Sequence, residues 1–98
     1  MTTTDNLFKL QETFEENLLL INKLNWFMEK RGITQVEIAD AIGVTKGMVN
    51  QWCRFKSIGM SAETNRLLNI IINTPDDLTP KHYLLLMRLY EEFKSKSK

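Results

Sequence analysis

Cysteine, proline and glycine are all scarce in this chain: one cysteine, two prolines and four glycines occur among its 98 residues. A single cysteine, Cys53, leaves no internal disulfide, and no cluster of cysteine and histidine offers a metal site. Proline and glycine mark turns, so the long stretches without them favour helices. We therefore expect an all-α protein that needs no metal and no other cofactor.

Long apolar runs are missing as well. No stretch of about eighteen consecutive apolar residues occurs, so no membrane-spanning helix is expected. The first residues, Met1 to Asp5, lack the basic and apolar regions of a secretory signal. A chain of 98 residues suffices for one domain with a modest core. These absences predict a single cytoplasmic domain spanning residues 1–98 that does not bind a membrane.

Charge of either sign is not in clear excess, because the formal net charge is +1. Its distribution along the chain is uneven: residues 1–30 carry −2, residues 31–58 carry +2, and the remainder carries +1. For nucleic-acid binding the distribution of charge matters more than its sum. The weak basic surplus coincides with the segment that holds the motif described below.

Apolar residues recur at helical spacing from Asp5 to Arg31, where Gly32 is placed to end a helix. One long helix and two helices with a break near Asn17 fit this pattern equally well. Four of the apolar residues are seven apart, which suits a coiled-coil seam, although packing within one subunit is the favoured interpretation: Leu7, Phe14, Ile21 and Met28. We expect both tryptophans, Trp26 and Trp52, to lie in the core.

Cap residues mark the remaining helix starts. Thr34 and Glu37 have the spacing of a capping box, Thr45 and Ser61 are N-cap candidates, and Gly43 is placed to end the second helix. Thr74-Pro75 and Thr79-Pro80 each pair a cap residue with proline at the first helical position. The second pair predicts a last helix from Pro80 to Phe93, followed by a frayed tail.

The stretch from Gln35 to Arg54 satisfies the conditions for two short helices packed at a steep angle. Ala39 supplies a small residue where the helices touch, and Gly43 supplies a turn residue that tolerates positive φ. Apolar residues are available to fill the angle between the helices: Ile38, Ile42, Val44, Val49 and Trp52. Val36 is expected to be buried with them, and Met48 to share the inner side of the second helix.

These residues resemble the helix-turn-helix of the Cro and phage-repressor family, also called the Xre family. The resemblance covers about residues 18–73 and implies a lambda-repressor-like helical bundle as the core. Residues 1–17 would then be an N-terminal helical extension and residues 80–94 an added C-terminal helix. After Trp52 the chain departs from the family pattern, because it continues Cys53-Arg54-Phe55-Lys56 where relatives carry Glu and a nearby Gly.

The resemblance implies that the second helix of the motif is a recognition helix in the major groove of double-stranded DNA. The residues expected to contact bases are Lys46, Gly47, Asn50 and Gln51. Those expected to contact phosphates are Gln35, Thr45, Arg54 and Lys56. The alternative for these side chains is an ordinary solvated surface, and for Thr45 capping alone. The glycine inside a helix, Gly47, indicates close approach of a DNA strand or of a neighbouring helix.

A helix that packs against a single neighbour needs only one apolar stripe. The predicted last helix is instead apolar almost all round. We expect it to form a homodimer interface through five residues: Tyr83, Leu86, Met87, Tyr90 and Phe93. The alternative is that the two terminal helices pack against each other within one subunit.

The sequence favours a dimeric repressor of a phage or mobile-element promoter that binds an inverted repeat. Two alternatives are an antitoxin that binds a toxin and represses its own operon, and a helical adaptor that binds a protein without specific DNA contact. No enzyme is expected, because His82 has no nucleophile or paired carboxylate at a catalytic spacing.

Overall fold

The computed structural model describes the backbone of residues 3–96 and the side chains of residues 14–96. Within that range the chain forms helices and no strands, so the all-α prediction is confirmed. The helices are α1 (Thr3–Arg31), α2 (Gln35–Ile42), α3 (Lys46–Cys53), α4 (Ala62–Ile71) and α5 (Pro80–Lys96).

Helix α1 is continuous from Thr3 to Arg31, so the proposed break near Asn17 is wrong. The Asn17 side chain is buried and takes part in tertiary contacts, since its amide donates to the Ile58 carbonyl at 2.9 Å and its oxygen accepts from Asn65 at 2.9 Å. It is therefore not available to cap a new helix. The Leu7 position of the seven-residue pattern lies outside the described side chains.

The predicted caps open the later helices. The Thr34 hydroxyl accepts from the Glu37 N–H at 3.2 Å, and the Glu37 carboxylate accepts from the Thr34 N–H at 2.8 Å, which completes the capping box. Hydroxyl caps also begin the next three helices, at Thr45, Ser61 and Thr79. Gly32 and Gly43 end α1 and α2 with φ of 66° and 78°. These local signals are confirmed.

The core lies where α1, α2, α3 and α4 meet. Its buried apolar side chains come from all four helices: Leu20, Ile21, Leu24, Phe27, Ile38, Ala39, Val49, Trp52, Leu68 and Ile71. Helix α5 packs on α2 and α4 and buries Leu84. The helical bundle expected from the resemblance is therefore present, with α5 added to one side.

Two residues predicted to be buried lie on the surface. Trp26 is 63% exposed, and the Lys30 ammonium lies 4.6 Å from the centre of its ring. Val36 is 55% exposed, because Ile38 and Ala39 form the inward side of α2. Periodicity identified the helices correctly in both cases but assigned these two positions to the wrong face.

The C-terminal part corrects two further predictions. Thr74-Pro75 opens a turn rather than a helix, because the buried Thr74 hydroxyl donates to the Ile71 carbonyl at the end of α4 at 2.6 Å. Helix α5 continues past Phe93 to Lys96, so these residues belong to the helix and not to a frayed tail.

Arg31 fixes the connection between α4 and α5. Its guanidinium donates to the carbonyl oxygens of Thr74, Pro75 and Leu78 at 2.6, 2.9 and 3.1 Å. Hydrogen bonds that involve a charged group are stronger than neutral ones. Arg31 is therefore engaged by carbonyl groups of the protein itself, and its guanidinium is not free to contact a phosphate.

Candidate nucleic-acid interface

The turn between α2 and α3 sets the angle of the helix pair. The Ala39 carbonyl accepts from the N–H groups of Gly43 and Val44 at 2.9 and 3.0 Å, with Gly43 in the left-handed region. Ala39 is itself buried at the contact between the two helices. A larger side chain there would separate the helices, so the small residue and the glycine have the predicted roles.

The inner face of α3 holds it against the core. Val49 and Trp52 are buried, as predicted. Met48, predicted to share their side, is exposed: it lies about 40° from Trp52 around the helix axis but about 100° from Val49, so it stands at the margin of the inner side. Met48 therefore belongs to the accessible side of α3.

The outer face of α3 is small and polar. Lys46, Gly47 and Gln51 are exposed, as is the cap residue Thr45. Asn50 is half-buried, and its amide donates to the Gln35 side-chain oxygen at 3.2 Å. This bond ties α3 to the first turn of α2 and holds the two amides in a fixed relation.

Gly47 lies in open space. A β-carbon built there would have only the Thr45 hydroxyl oxygen within 4 Å, at 3.8 Å. The protein itself therefore does not require glycine at this position, which removes the neighbouring helix as an explanation.

The residues predicted to contact phosphates surround the same face. Gln35 is the first residue of α2, where the leading N–H groups have no intrahelical acceptor. The Thr45 hydroxyl accepts from the Met48 N–H at 3.1 Å and so serves as a cap. Arg54 and Lys56 are exposed, and neither forms an ion pair with another residue in the described range.

The end of α3 has a conformation that sequence reasoning missed. The Phe55 N–H donates to the Trp52 carbonyl and the Lys56 N–H to the Gln51 carbonyl, each at 2.9 Å, which is the Schellman pattern. The left-handed position in this motif usually holds glycine, but here it holds Phe55 with φ of 58°. For a residue with a β-carbon this conformation costs about 1–2 kcal/mol. The strained residue lies two positions after the last residue of α3.

Two asparagines of α1 anchor the turn that follows α3. The Asn25 amide donates to the Cys53 carbonyl at 3.1 Å, and the Asn17 amide donates to the Ile58 carbonyl at 2.9 Å. Both bonds join residues far apart in the sequence, so no local pattern pointed to them. They hold residues 53–58 at both ends.

The remaining polar and reactive groups give no sign of further chemistry. Burial raises the pKa of the half-buried Cys53 thiol, which disfavours its reactive thiolate form. Within residues 14–96 no group of histidine, cysteine and carboxylate side chains could hold a metal ion. No helix in the described part of the chain has the length and hydropathy to cross a membrane.

The predicted dimer residues fall into two groups on α5. Leu86, Tyr90 and Phe93 are exposed, whereas Tyr83 and Met87 are half-buried. Leu85 and Leu89, which the sequence prediction did not include, are also exposed. The outer side of α5 is therefore an apolar surface.

Comparison with known proteins identifies the motif. A family model described as "Helix-turn-helix" matches residues 24–58, which run from the second half of α1 through α2 and α3 to the anchored turn. No curated protein and no solved structure matched the chain. The matched segment contains the buried alanine, the left-handed glycine and the outer face described above. Residues 24–58 thus contain a helix-turn-helix similar to that of the Cro and phage-repressor type, a motif of DNA-binding transcription regulators.

Proposed function

We propose that the protein is a sequence-specific transcriptional regulator that acts as a dimeric repressor, with α3 as its recognition helix. The observation that carries this proposal is the outer face of α3. Lys46, Gly47 and Gln51 are exposed on a helix that is capped, anchored and packed on the core by its other side. None of these three residues is buried in the core, so the face can enter a major groove.

Base contacts would come from α3. Lys46 can donate to guanine O6 or N7, and Gln51 can pair with an adenine edge. Gly47 lets the backbone approach the DNA, since no side chain fills the space in front of it. The Asn50 amide uses one N–H group in its hydrogen bond to Gln35, so a base contact would use its other N–H group or its oxygen.

Phosphate contacts would hold the recognition helix in register. Gln35 offers the N-terminus of α2, where backbone N–H groups and the helix dipole attract an anion. Thr45 contributes a cap hydroxyl, and Arg54 and Lys56 contribute exposed cations after α3. Contacts of this kind add affinity without sequence information.

A dimer through α5 would supply selectivity. The five predicted interface residues, Tyr83, Leu86, Met87, Tyr90 and Phe93, line the outer side of α5 or its margin. A twofold dimer would place two recognition helices about 34 Å apart on an inverted repeat. The proposal divides the chain into a DNA-binding core of residues 18–73, an extension of residues 1–17 and a dimerisation helix of residues 80–94.

Repression would follow from occupancy, because a bound dimer at a promoter blocks polymerase. The resemblance to phage repressors makes a phage or mobile-element promoter in the cytoplasm of the host the proposed target.

The apolar outer side of α5 also favours a second candidate, in which its partner is a different protein. An antitoxin would use this side to hold its toxin while α3 binds the operator of its own operon. An adaptor would use it without specific DNA binding. A small toxin encoded by the neighbouring gene would support the antitoxin.

Selection of the full chain against random DNA duplexes tests the proposal. We expect an inverted repeat to be enriched, with affinity that falls steeply as salt rises, because phosphate contacts release counterions. Enrichment of no sequence would refute the regulator and favour the adaptor. Enrichment of a single half-site would retain DNA recognition and refute the dimer.

A further inference from the structure

We propose that the turn formed by Arg54, Phe55 and Lys56 is a second DNA-contacting element, in which the Phe55 ring packs on a deoxyribose of the backbone. This inference rests on the proposed function, because it needs α3 in the major groove. It assigns a contact to a residue that neither the motif nor its family pattern accounts for.

The first observation is a strained residue with an exposed apolar side chain. Phe55 is the one non-glycine residue in the described range with positive φ, at 58°. Its side chain is 43% exposed and is not among those packed against the core cluster. A glycine at this position would form the same turn with less strain. Strain held at a surface position of this kind is typical of a binding site.

The second observation is that the turn is held rigidly. Its two ends are fixed to α1 by the amides of Asn25 and Asn17 at 3.1 and 2.9 Å. The turn itself is closed on the last turn of α3 through the N–H groups of Phe55 and Lys56. A ring presented by a fixed backbone loses little conformational freedom when it is covered.

The third observation is the chemistry of the turn. Arg54 and Lys56 lie on either side of Phe55 in the sequence, both exposed and without an ion pair in the described range. A cation, an apolar ring and a second cation match the repeating phosphate, sugar and phosphate of one DNA strand. Deoxyribose offers the ring an apolar surface, because it lacks the 2′-hydroxyl of RNA.

A sugar contact has a signature that separates it from base reading. It carries no sequence information, so removing it weakens binding to every duplex by the same factor. It carries no charge, so the salt dependence of binding keeps its slope. The strain at Phe55 provides a third sign, because replacing this residue by one without strain stabilises the free protein.

The test compares the full chain with Phe55→Gly and Phe55→Tyr, using the selected duplex and a scrambled duplex of the same length. For Phe55→Gly we expect the unfolding midpoint to rise by about 4 °C and affinity for both duplexes to fall about tenfold, with the salt slope unchanged. Phe55→Tyr keeps the ring and is expected to bind within about twofold of the original chain.

The proposal requires weaker binding together with an equal or higher unfolding midpoint. A Phe55→Gly variant that binds as tightly as the original chain overturns it, and so does one that unfolds at a lower temperature, because the ring would then belong to the fold. Loss confined to the selected duplex assigns the ring to a base and also overturns it. Failure of the proposed function is distinguishable, since the original chain would then bind no duplex selectively and Lys46→Ala and Gln51→Ala would change nothing.

Discussion

Helices α3 and α5 bury one side in the same way but present opposite surfaces to the outside. The inner sides are apolar in both, with Val49 and Trp52 on α3 and Leu84 on α5. Outward, α3 carries short or polar groups, whereas α5 carries exposed leucines and a tyrosine. A polar outer face can exchange water for base edges, and an apolar one gains free energy only when another apolar surface covers it. The contrast fits the proposed functions of the two helices, in which α3 binds DNA and α5 binds another apolar surface.

The two helices also differ in how they are attached. The cap, the turn with Ala39 and the amides of Asn25 and Asn17 fix both ends of α3 and the turn after it. Helix α5 is held by the buried Leu84, by the turn that Arg31 fixes and by two exposed ion pairs, Lys81–Asp40 at 3.0 Å and Arg66–Glu91 at 3.2 Å. Exposed ion pairs contribute at most about 1 kcal/mol. We infer that α3 is more rigid than α5, which suits the proposed recognition of DNA bases by α3.

The largest expected effect tests the shared inner side. Replacing Trp52 by Ala should lower the free energy of unfolding by about 3–5 kcal/mol, because it removes a buried indole and leaves a cavity. Its matched control is Trp26→Ala, which removes an exposed ring and should cost less than about 1 kcal/mol. Urea unfolding of both variants measures the difference. Equal losses would mean that the two tryptophans do not differ in burial.

The second effect concerns the outer side of α5. Introducing charge there, with Leu86→Glu and Tyr90→Glu together, should weaken self-association at least about a hundredfold, because each glutamate would have to be desolvated in the interface. Sedimentation across a concentration series measures the change, and circular dichroism checks the fold. Lys46→Ala on α3 is the control and should leave association unchanged. A dimer of undiminished strength in the double variant would remove α5 from the interface.

The third effect concerns the outer side of α3. Gln51→Ala should relax preference at one base pair, at a cost of about 1–3 kcal/mol for the preferred base. The check is repeated duplex selection with the variant. If the variant instead bound every sequence more weakly by the same factor, Gln51 would contact the DNA backbone and not a base.

The smallest expected effect is on the salt dependence of DNA binding, and it distinguishes Arg54, which has no ion pair in the described range, from an arginine that has one. Arg54→Gln should reduce the slope of log affinity against log salt by about one, the share of one phosphate contact. Arg66→Gln provides the control, because that guanidinium already lies 2.8 Å from Glu63 and 3.2 Å from Glu91 on the surface. The same slope in both variants would show that Arg54 meets no phosphate.

The helices and their boundaries could be predicted where the rules are local. Thr34 with Glu37, and Thr79 with Pro80, specify helix starts within four residues of chain, and Gly43 specifies a stop because its conformation is left-handed. The spacing of apolar residues between Gln35 and Arg54 likewise predicted the helix pair, since two short helices at that angle need those sizes in that order.

What could not be predicted depends on contacts across the fold. Periodicity does not say which side of a long helix meets the core, so Trp26 and Trp52 looked alike in the sequence. Asn17 is buried, and its hydrogen-bond partners Ile58 and Asn65 lie 41 and 48 residues away, so no local sequence pattern predicts these contacts. Phe55 is strained because the anchored turn places a left-handed residue at that point, and no residue near it in the sequence indicates this conformation.

In the proposed complex, α3 reads DNA while the outer side of α5 binds another protein surface. The most direct measurement is a titration of isotopically labelled protein with the selected duplex, followed by nuclear magnetic resonance. We expect the amide signals of Lys46, Gly47 and Gln51 to shift, while those of Leu86 and Tyr90 remain where they are in the free dimer. Shifts concentrated on α5, with α3 unchanged, would contradict it.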